Sequence, residues 1–464
     1  MTPNMILLYL TTCVILTAAN RVYVHPFHFF AYNKSICDEM ERQNQSTQEE
    51  KVFIPISLET SVSPDEENMK GTSSLDTESL NVKDLPSLTF LTELVQDVGF
   101  RHFNVLRKSH KCETALLSPI TIYATLVSFY LGASKQTSDN LQVFLGFTTP
   151  SDCTSRVDGH KVLSALKTIN GLLLSKDVDT SMKTFLFTAP GIYISEAFVH
   201  DLAPSSDALY VRSIDFTNSA RARELINAFF EARTFRRSNN ILTSVNPSTT
   251  TLLFASYIYF KVKVKNAFQV NEPQDFWIDS DKKISVPMIS VTSMFHYDSD
   301  EKENLSVIRI PLSKHDILLL VQPIHGNKLE RIESTLSRDS FQSWWSKPSK
   351  RYINLTMPKL MIKMSYDLQE ILRDINLSTL LGENADFSKI SDTHLKVGKV
   401  INQIHFELDG SGSEIEQPQN ASEQTADTVP LEIKVKKPFL VAVFEGTSKA
   451  LLFFGRVINP LSAF

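Results

Sequence analysis

The spacing of apolar residues predicts helices in the first half of the main body of the chain. Apolar residues recur at helical spacing from Leu88 to Leu106, and Ser87 before them is a suitable N-cap. Ser118-Pro119 predicts a second helix start, because Ser caps well and Pro fits the first helical position. Further amphipathic segments predict three more helices, at Ser138–Leu145, Val157–Leu173 and Ala222–Phe230.

The second half of the body is richer in strand patterns. Phe439–Phe444 is apolar throughout, as expected of a strand buried on both faces, and Ala450–Phe454 returns after a turn at Gly446. With helices early and long strands late, the pattern predicts an α+β fold with helices packed on large mixed or antiparallel sheets. β-branched and aromatic residues predict other strands at Thr184–Ser195, Thr251–Val264 and Ile317–Val321.

The first residues have the pattern of a targeting signal. Met5–Ala19 is uncharged, apolar and too short to span a bilayer comfortably. Small residues precede Asn20, so we predict a signal peptide at residues 1–19 that is cut between Ala19 and Asn20. A buried first helix is the alternative. We expect the mature protein to be secreted and extracellular, without membrane association.

Composition separates a tail from the body. The chain has 464 residues and a formal net charge of −5, which argues against a nucleic-acid-binding protein. The segment from Cys37 to Asp84 contains twelve acidic and four basic residues, and few apolar ones. Such a segment cannot offset the entropy of ordering, so we predict a flexible acidic tail at 30–84 and a body at 85–464. The apolar spot Phe53–Ile56 is the part of the tail able to dock on the body.

One aromatic stretch, NRVYVHPFHFF at Asn20–Phe30, carries a single formal charge at Arg21. Pro26 fixes its own φ and biases His25 away from helical conformations, so we predict an extended segment outside the folded core. An incidental aromatic tail or a first strand are the alternatives.

Cysteines and glycosylation sequons agree with secretion. After removal of the signal peptide, Cys37, Cys112 and Cys153 remain, so at least one thiol is free or bonded between molecules. In the oxidising secretory route one internal disulfide is expected. Candidate glycan acceptors in Asn-x-Ser/Thr sequons are Asn33, Asn44, Asn304, Asn376 and Asn420.

The sequence contains no recognisable catalytic or cofactor motif. Cys-x-x-Cys, His-Glu-x-x-His, Gly-x-Ser-x-Gly and phosphate-loop patterns are missing. His25 and His28 are close, but nothing nearby completes a metal ligand set. We therefore expect no catalytic residue, no metal and no cofactor, and a protein that is not an enzyme.

Five motif-like segments are spread over almost the whole body. They are LLSPITIYATLVSFYLGASKQTSDNLQVFLGF at 116–147, YIYFKVKVKNAF at 257–268, SYDLQEIL at 365–372, KVGKVINQIHFELDGSGSE at 396–414 and KPFLVAVFEGTSKALLFFGRVINP at 437–460. In sequence and in order they resemble segments of the serpin family. The resemblance implies a serpin fold with a reactive-loop-like segment at about 409–430. Val262 and Val264 stand where serpins generally carry Gly and Trp.

The loop chemistry departs from that of inhibitory serpins. In those, a run of small residues follows the hinge, because the loop inserts as a new strand with alternate side chains buried. Here Gly412-Ser413-Glu414 matches the hinge, but Gln417 would be buried, and Pro418 has no N–H to donate. A glycan on Asn420 could not be buried. We predict a non-inhibitory serpin; a secreted serine protease inhibitor and a carrier for a small apolar ligand are the alternatives.

The aromatic stretch resembles the angiotensin family of vasoactive peptide hormones. NRVYVHPFHF at 20–29 matches the decapeptide form and NRVYVHPF at 20–27 the octapeptide form. The resemblance implies a hormone that regulates blood pressure and fluid balance. It also implies that the receptor-reading groups, for an angiotensin receptor, are Arg21, Tyr23, His25 and Phe27.

The peptide is not followed by a basic pair, so a protease must cut between apolar residues. The resemblance implies a renin-like aspartic protease acting at Phe29–Phe30, with Phe29 standing where many relatives carry Leu. A dipeptidyl carboxypeptidase of the angiotensin-converting type would then remove His28-Phe29 and leave Phe27 at the end. The segment CTSRVDGHKVLSAL at 153–166 resembles hormone-precursor serpins in particular, which implies a Cys37–Cys153 disulfide.

Overall fold

A computed structural model describes residues 27–43, 51–60, 85–111, 113–171, 178–234, 241–246, 250–313, 316–324, 328–346, 349–375, 377–412 and 429–461. The predicted signal peptide and residues 20–26 of the hormone-like stretch lie outside these ranges. Most of the reactive-loop-like segment, from Ser413 to Thr428, lies outside them as well.

Helices dominate the first half of the described chain. They are α1 Phe27–Phe30, α2 Lys34–Gln43, α3 Leu85–Ser109, α4 Pro119–Gly132, α5 Lys135–Phe144, α6 Gly159–Gly171, α7 Glu196–Leu202, α8 Ser219–Arg233, α9 Leu329–Ser334, α10 Arg338–Ser346 and α11 Leu368–Asp374. Short 3₁₀ turns lie at Cys153–Ser155, Ala203–Ser205 and Ser378–Leu380.

Strands dominate the second half. They are β1 Val52–Phe53, β2 Ile56–Ser57, β3 Ala115–Leu117, β4 Val178–Thr188, β5 Ile194–Ser195, β6 Ala208–Ser213, β7 Leu252–Gln269, β8 Gln274–Trp277, β9 Lys283–Val286, β10 Met288–Asp300, β11 Leu305–Pro311, β12 Ile317–Pro323, β13 Ser349–Pro358, β14 Leu360–Asp367, β15 Val397–Gly412, β16 Leu431–Lys434, β17 Phe439–Phe444 and β18 Leu451–Val457.

Most strands join one mixed network. Its main path runs β2-β6-β4-β7-β10-β11-β12-β17-β18-β3, with β15 pairing β7 and β14, and β13 pairing β10 and β16. One large apolar cluster lies between this network and the helices α3 to α7, and a smaller one packs α8 against β4, β6 and β7. The predicted α+β class with mixed sheets is confirmed.

The predicted helices agree with the structure within a few residues. Helix α4 begins at Pro119 after Ser118 and ends at Gly132, as the Ser-Pro signal and the glycine predict. Helix α5 begins three residues earlier than predicted and is followed by Gly146 at φ +93°, where a left-handed residue closes the helix. Strand β17 is buried along its whole length, as its continuous apolar pattern predicts.

Parts of the predicted flexible tail dock on the body. Residues Lys34–Gln43 form helix α2, while β1 pairs with β5 and β2 pairs in parallel with β6. Phe53 packs against the main core, so the predicted docking of this apolar spot is confirmed. The charge count could not indicate this, because a few buried anchors order a short segment despite its acidic surroundings.

Strands β7 and β15 pair directly with each other, from Leu252–Val397 to Phe268–Gly412. No strand therefore lies between them at the place where an inserted loop would have to enter. Asn402 is fully buried at this seam and donates hydrogen bonds of 2.8 Å to Thr121 and Ser256, which ties α4 to both strands.

Candidate processing site

The end of the hormone-like stretch forms one helical turn on the body. In α1, Phe29 is 40% exposed, whereas Phe30 is fully buried in the main core. The ring of Phe27 is half-buried and lies 5.9 Å from the ring of Phe147, centroid to centroid. The turn contacts helices α3 and α6.

The prediction of an extended stretch outside the core is therefore wrong for Phe27–Phe30. The amide of Ala31 donates to the carbonyl of Phe27, which closes the turn at 3.1 Å. Pro26 restricts only itself and the residue before it, so it leaves the conformation of the following residues free. Burial of Phe30 then decides the conformation, because a phenyl ring gains about 1.5–3 kcal/mol on leaving water.

Residues 30–32 are bonded to the segment Arg156–Asp158. The carbonyl of Phe30 accepts from the amide of Asp158 at 2.7 Å, and the amide of Tyr32 donates to the carbonyl of Arg156 at 3.1 Å. These two bonds flank an antiparallel bridge between Ala31 and Val157. The carbonyl of Ala31 accepts from the ammonium group of Lys161 at 3.0 Å.

The segment that anchors the tail is itself fixed by buried polar groups of the body. Gln142 is fully buried; its amide nitrogen donates to the carbonyl of Ser155 at 3.0 Å, and its oxygen accepts from the amide of Val157 at 3.1 Å. The hydroxyl of Tyr130 donates to the carbonyl of Val157 at 2.7 Å. Burial raises the pKa of Tyr130 to about 12, so the hydroxyl keeps its proton at neutral pH.

Sequence reasoning missed Gln142, Tyr130, Asp158 and Lys161 as parts of this site. A polar Gln on the apolar stripe of a short helix was the available signal, and so was Asp158 ahead of the helix that begins at Gly159. Asp158 accepts from the amides of His160 and Lys161 at 3.1 and 3.4 Å, which is an N-terminal cap.

A disulfide joins Cys37 and Cys153, with Cα atoms 5.9 Å apart. This is the pairing that the family resemblance implies. It links helix α2 to the 3₁₀ turn Cys153–Ser155, which is capped by Asp152, and so lies beside the Arg156–Asp158 segment. Cys112 lies outside the described residues.

The remaining predicted site residues fall into two groups. Arg21, Tyr23 and His25 lie outside the described residues, as do Ala19, Asn20 and the sequons at Asn44, Asn376 and Asn420. Within them, Asn33 is exposed and precedes α2, while Asn304 is half-buried at a positive φ of 53°. In the described part of the chain, no group of three His, Cys, Asp or Glu side chains is placed to hold a metal ion.

The Serpin (serine protease inhibitor) family profile matches residues 93–460. Angiotensinogen from Bos taurus is 40% identical over 97% of this chain and 96% of its own. The Rattus norvegicus protein of that name is 39% identical over 97% and 96%, and the Homo sapiens protein 35% over 96% and 95%.

The chain belongs to the angiotensinogen group of the serpin family. Among solved structures, human thyroxine-binding globulin complexed with thyroxine has the same fold, with a TM-score of 0.68 and 22% identity over 81% of this chain and all of that one. Membership in the angiotensinogen group supports a hormone precursor with a serpin body, as the sequence predicts. No helix within the described ranges is both long and apolar enough to cross a bilayer.

Proposed function

We propose that this member of the angiotensinogen group is a secreted precursor cut by a renin-like aspartic protease between Phe29 and Phe30. One observation carries the proposal. Phe29 ends the hormone-like decapeptide and is 40% exposed, whereas Phe30 is fully buried and begins the segment bonded to Arg156–Asp158. The change from an exposed to a buried side chain thus falls at the proposed bond.

The cut requires local opening of the turn. An aspartic protease binds its substrate extended, so α1 must unwind and Phe30 must leave the core. A single isolated turn has little stability of its own, and withdrawal of the Phe30 ring is the larger cost, about 1.5–3 kcal/mol. The packing of Phe30 therefore lowers the fraction of molecules in which the bond is open to the protease.

The released peptide, residues 20–29, would be trimmed by a dipeptidyl carboxypeptidase that removes His28-Phe29. The trimmed peptide would bind an angiotensin receptor through the Phe27 carboxylate and the side chains of Arg21, Tyr23 and His25. Phe27 is half-buried against Phe147 in the precursor, so it becomes fully available only after release.

The deciding experiment is incubation of the chain from Asn20 onward, without the predicted signal peptide, with a renin-type aspartic protease, followed by mass measurement of the small product. We expect the mass of residues 20–29. A product that ends at any residue other than Phe29 would refute the proposed site.

A further inference from the structure

Several backbone polar groups just after the proposed cut are hydrogen-bonded in the folded chain, three of them to the body. The carbonyl of Phe30 accepts from Asp158, and the amide of Tyr32 donates to Arg156. The amide of Ala31 donates to Phe27, and its carbonyl accepts from the ammonium group of Lys161. A protease cleft that binds an extended substrate needs these same groups, so the body and the protease compete for them.

Most of these bonds join backbone groups, so a change of side chain that keeps the backbone N–H does not remove them. The bond from Lys161 is different, because it comes from a side chain outside the cleaved segment. Lys161 is 35% exposed, and its ammonium group lies 3.7 Å from the carboxylate of Asp158, which is 10% exposed. That carboxylate also caps helix α6, so it orients Lys161 from a fixed position.

We propose that Lys161, oriented by Asp158, is a positioning residue that clamps the Ala31 carbonyl and restrains cleavage at Phe29–Phe30. The proposal rests on the proposed function of this site. The clamp lowers the fraction of molecules whose segment is open, so it raises the apparent KM of the protease for the folded chain. Removal of the clamp leaves the peptide bond between Phe29 and Phe30 itself unchanged.

Lys161→Met tests the clamp, since it removes the donor and the charge but keeps an unbranched side chain. We expect kcat/KM for release of residues 20–29 to rise roughly three- to tenfold, chiefly through a lower KM. Lys161→Arg keeps a charged donor and should stay within about twofold of the native rate. Lys167→Met, on the same helix, is the matched control and should leave the rate unchanged.

Hydrogen exchange provides a readout that does not depend on the protease. The amides of Asp158 and Tyr32 should exchange faster in Lys161→Met than in the native chain or in Lys167→Met, with the melting temperature of the body unchanged. Faster exchange in Lys161→Met together with a protease product that does not end at Phe29 would support the clamp but refute the proposed function.

Two results would overturn the clamp. One is unchanged exchange and an unchanged rate in Lys161→Met while the native chain is cut normally at Phe29–Phe30. The other is equal acceleration by Lys161→Arg and Lys161→Met, because that result would assign the effect to packing and not to the bond with Ala31.

Discussion

The rings of Phe29 and Phe30 lie 5.0 Å apart, centroid to centroid and edge to face, yet one side chain is 40% exposed and the other is fully buried. The peptide bond between them therefore joins an exposed side chain to one that is fully buried in the core. Recognition of Phe29 from solution is possible in the folded state, whereas recognition of Phe30 requires its withdrawal. Access to the cut is thus coupled to the packing of the body.

The first prediction compares folded and free substrates. We expect a synthetic peptide of residues 20–32 to be cut at Phe29–Phe30 roughly tenfold to a hundredfold faster than the folded chain, because the peptide does not need to extract a buried ring. The measurement is kcat/KM for both substrates with the same renin-type protease. Equal values would mean that the turn is open in solution.

A second prediction tests the identity of the cut. Phe29→Asp should abolish release of the decapeptide, because the protease would have to desolvate a charge in an apolar subsite. Met40→Asp is the control: Met40 has a similar exposure in helix α2 but lies outside the hormone-like stretch. Normal release from Phe29→Asp, measured by mass, would remove the main support for the proposed function.

Much of the fold was predictable from local patterns, and the site was predictable only in part. The Ser118-Pro119 helix start and the buried strand Phe439–Phe444 follow from capping and burial, which depend on neighbouring residues. The turn at Phe27–Phe30 depends on the burial of Phe30 and on contacts with α3 and α6, which no local pattern reports. The same reason applies to Lys161, whose bond spans 130 residues of sequence.

The third prediction concerns the disulfide. Cys37→Ser and Cys153→Ser should each lower the free energy of unfolding by about 2–4 kcal/mol, since the bond closes a long loop in the unfolded chain. The double variant should lose little more free energy of unfolding than either single variant, as expected for two partners of one bond. Additive effects, or a peptide map that joins Cys37 to Cys112, would contradict the pairing.

The same cysteine variants test whether the bond affects processing. The bond joins α2 to the turn beside the Arg156–Asp158 segment, so its loss should change the rate of decapeptide release. The measurement is kcat/KM with the renin-type protease on each single variant. A native rate in both would leave the disulfide with a structural role alone.

A fourth prediction concerns protease inhibition. We expect no covalent complex with serine proteases and little gain in melting temperature after cleavage of the loop at 413–428. Insertion between β7 and β15 would have to break the ion pair between Lys261 and Glu407, 3.0 Å long, and bury Gln417 beside Pro418. A complex that survives denaturing electrophoresis, or a large thermal gain after cleavage, would restore the inhibitor alternative.

The last prediction concerns acid sensitivity and His102, a fully buried residue in helix α3. Its Nδ1–H donates to the carbonyl of Val98 at 2.8 Å, and its Nε2 has no partner among the described residues. Burial, opposed by the hydrogen bond to Val98 and aided by the nearby Arg101 charge, lowers the pKa of His102 to about 4. In the unfolded chain His102 therefore takes up a proton near pH 6.5, whereas in the folded chain it stays neutral at that pH.

Since the unfolded state binds more protons between those two values, the free energy of unfolding should fall as pH falls from about 6.5 towards 4. We expect His102 to contribute of the order of 2–3 kcal/mol to that loss. His102→Leu should flatten the pH dependence over this window, whatever its effect on stability at pH 7. His110→Gln changes an exposed histidine beyond the end of the same helix and should leave the slope as it is in the native chain. Denaturant unfolding at several pH values measures both slopes, and an equal loss in the native and His102→Leu chains would show that another buried group carries the acid sensitivity.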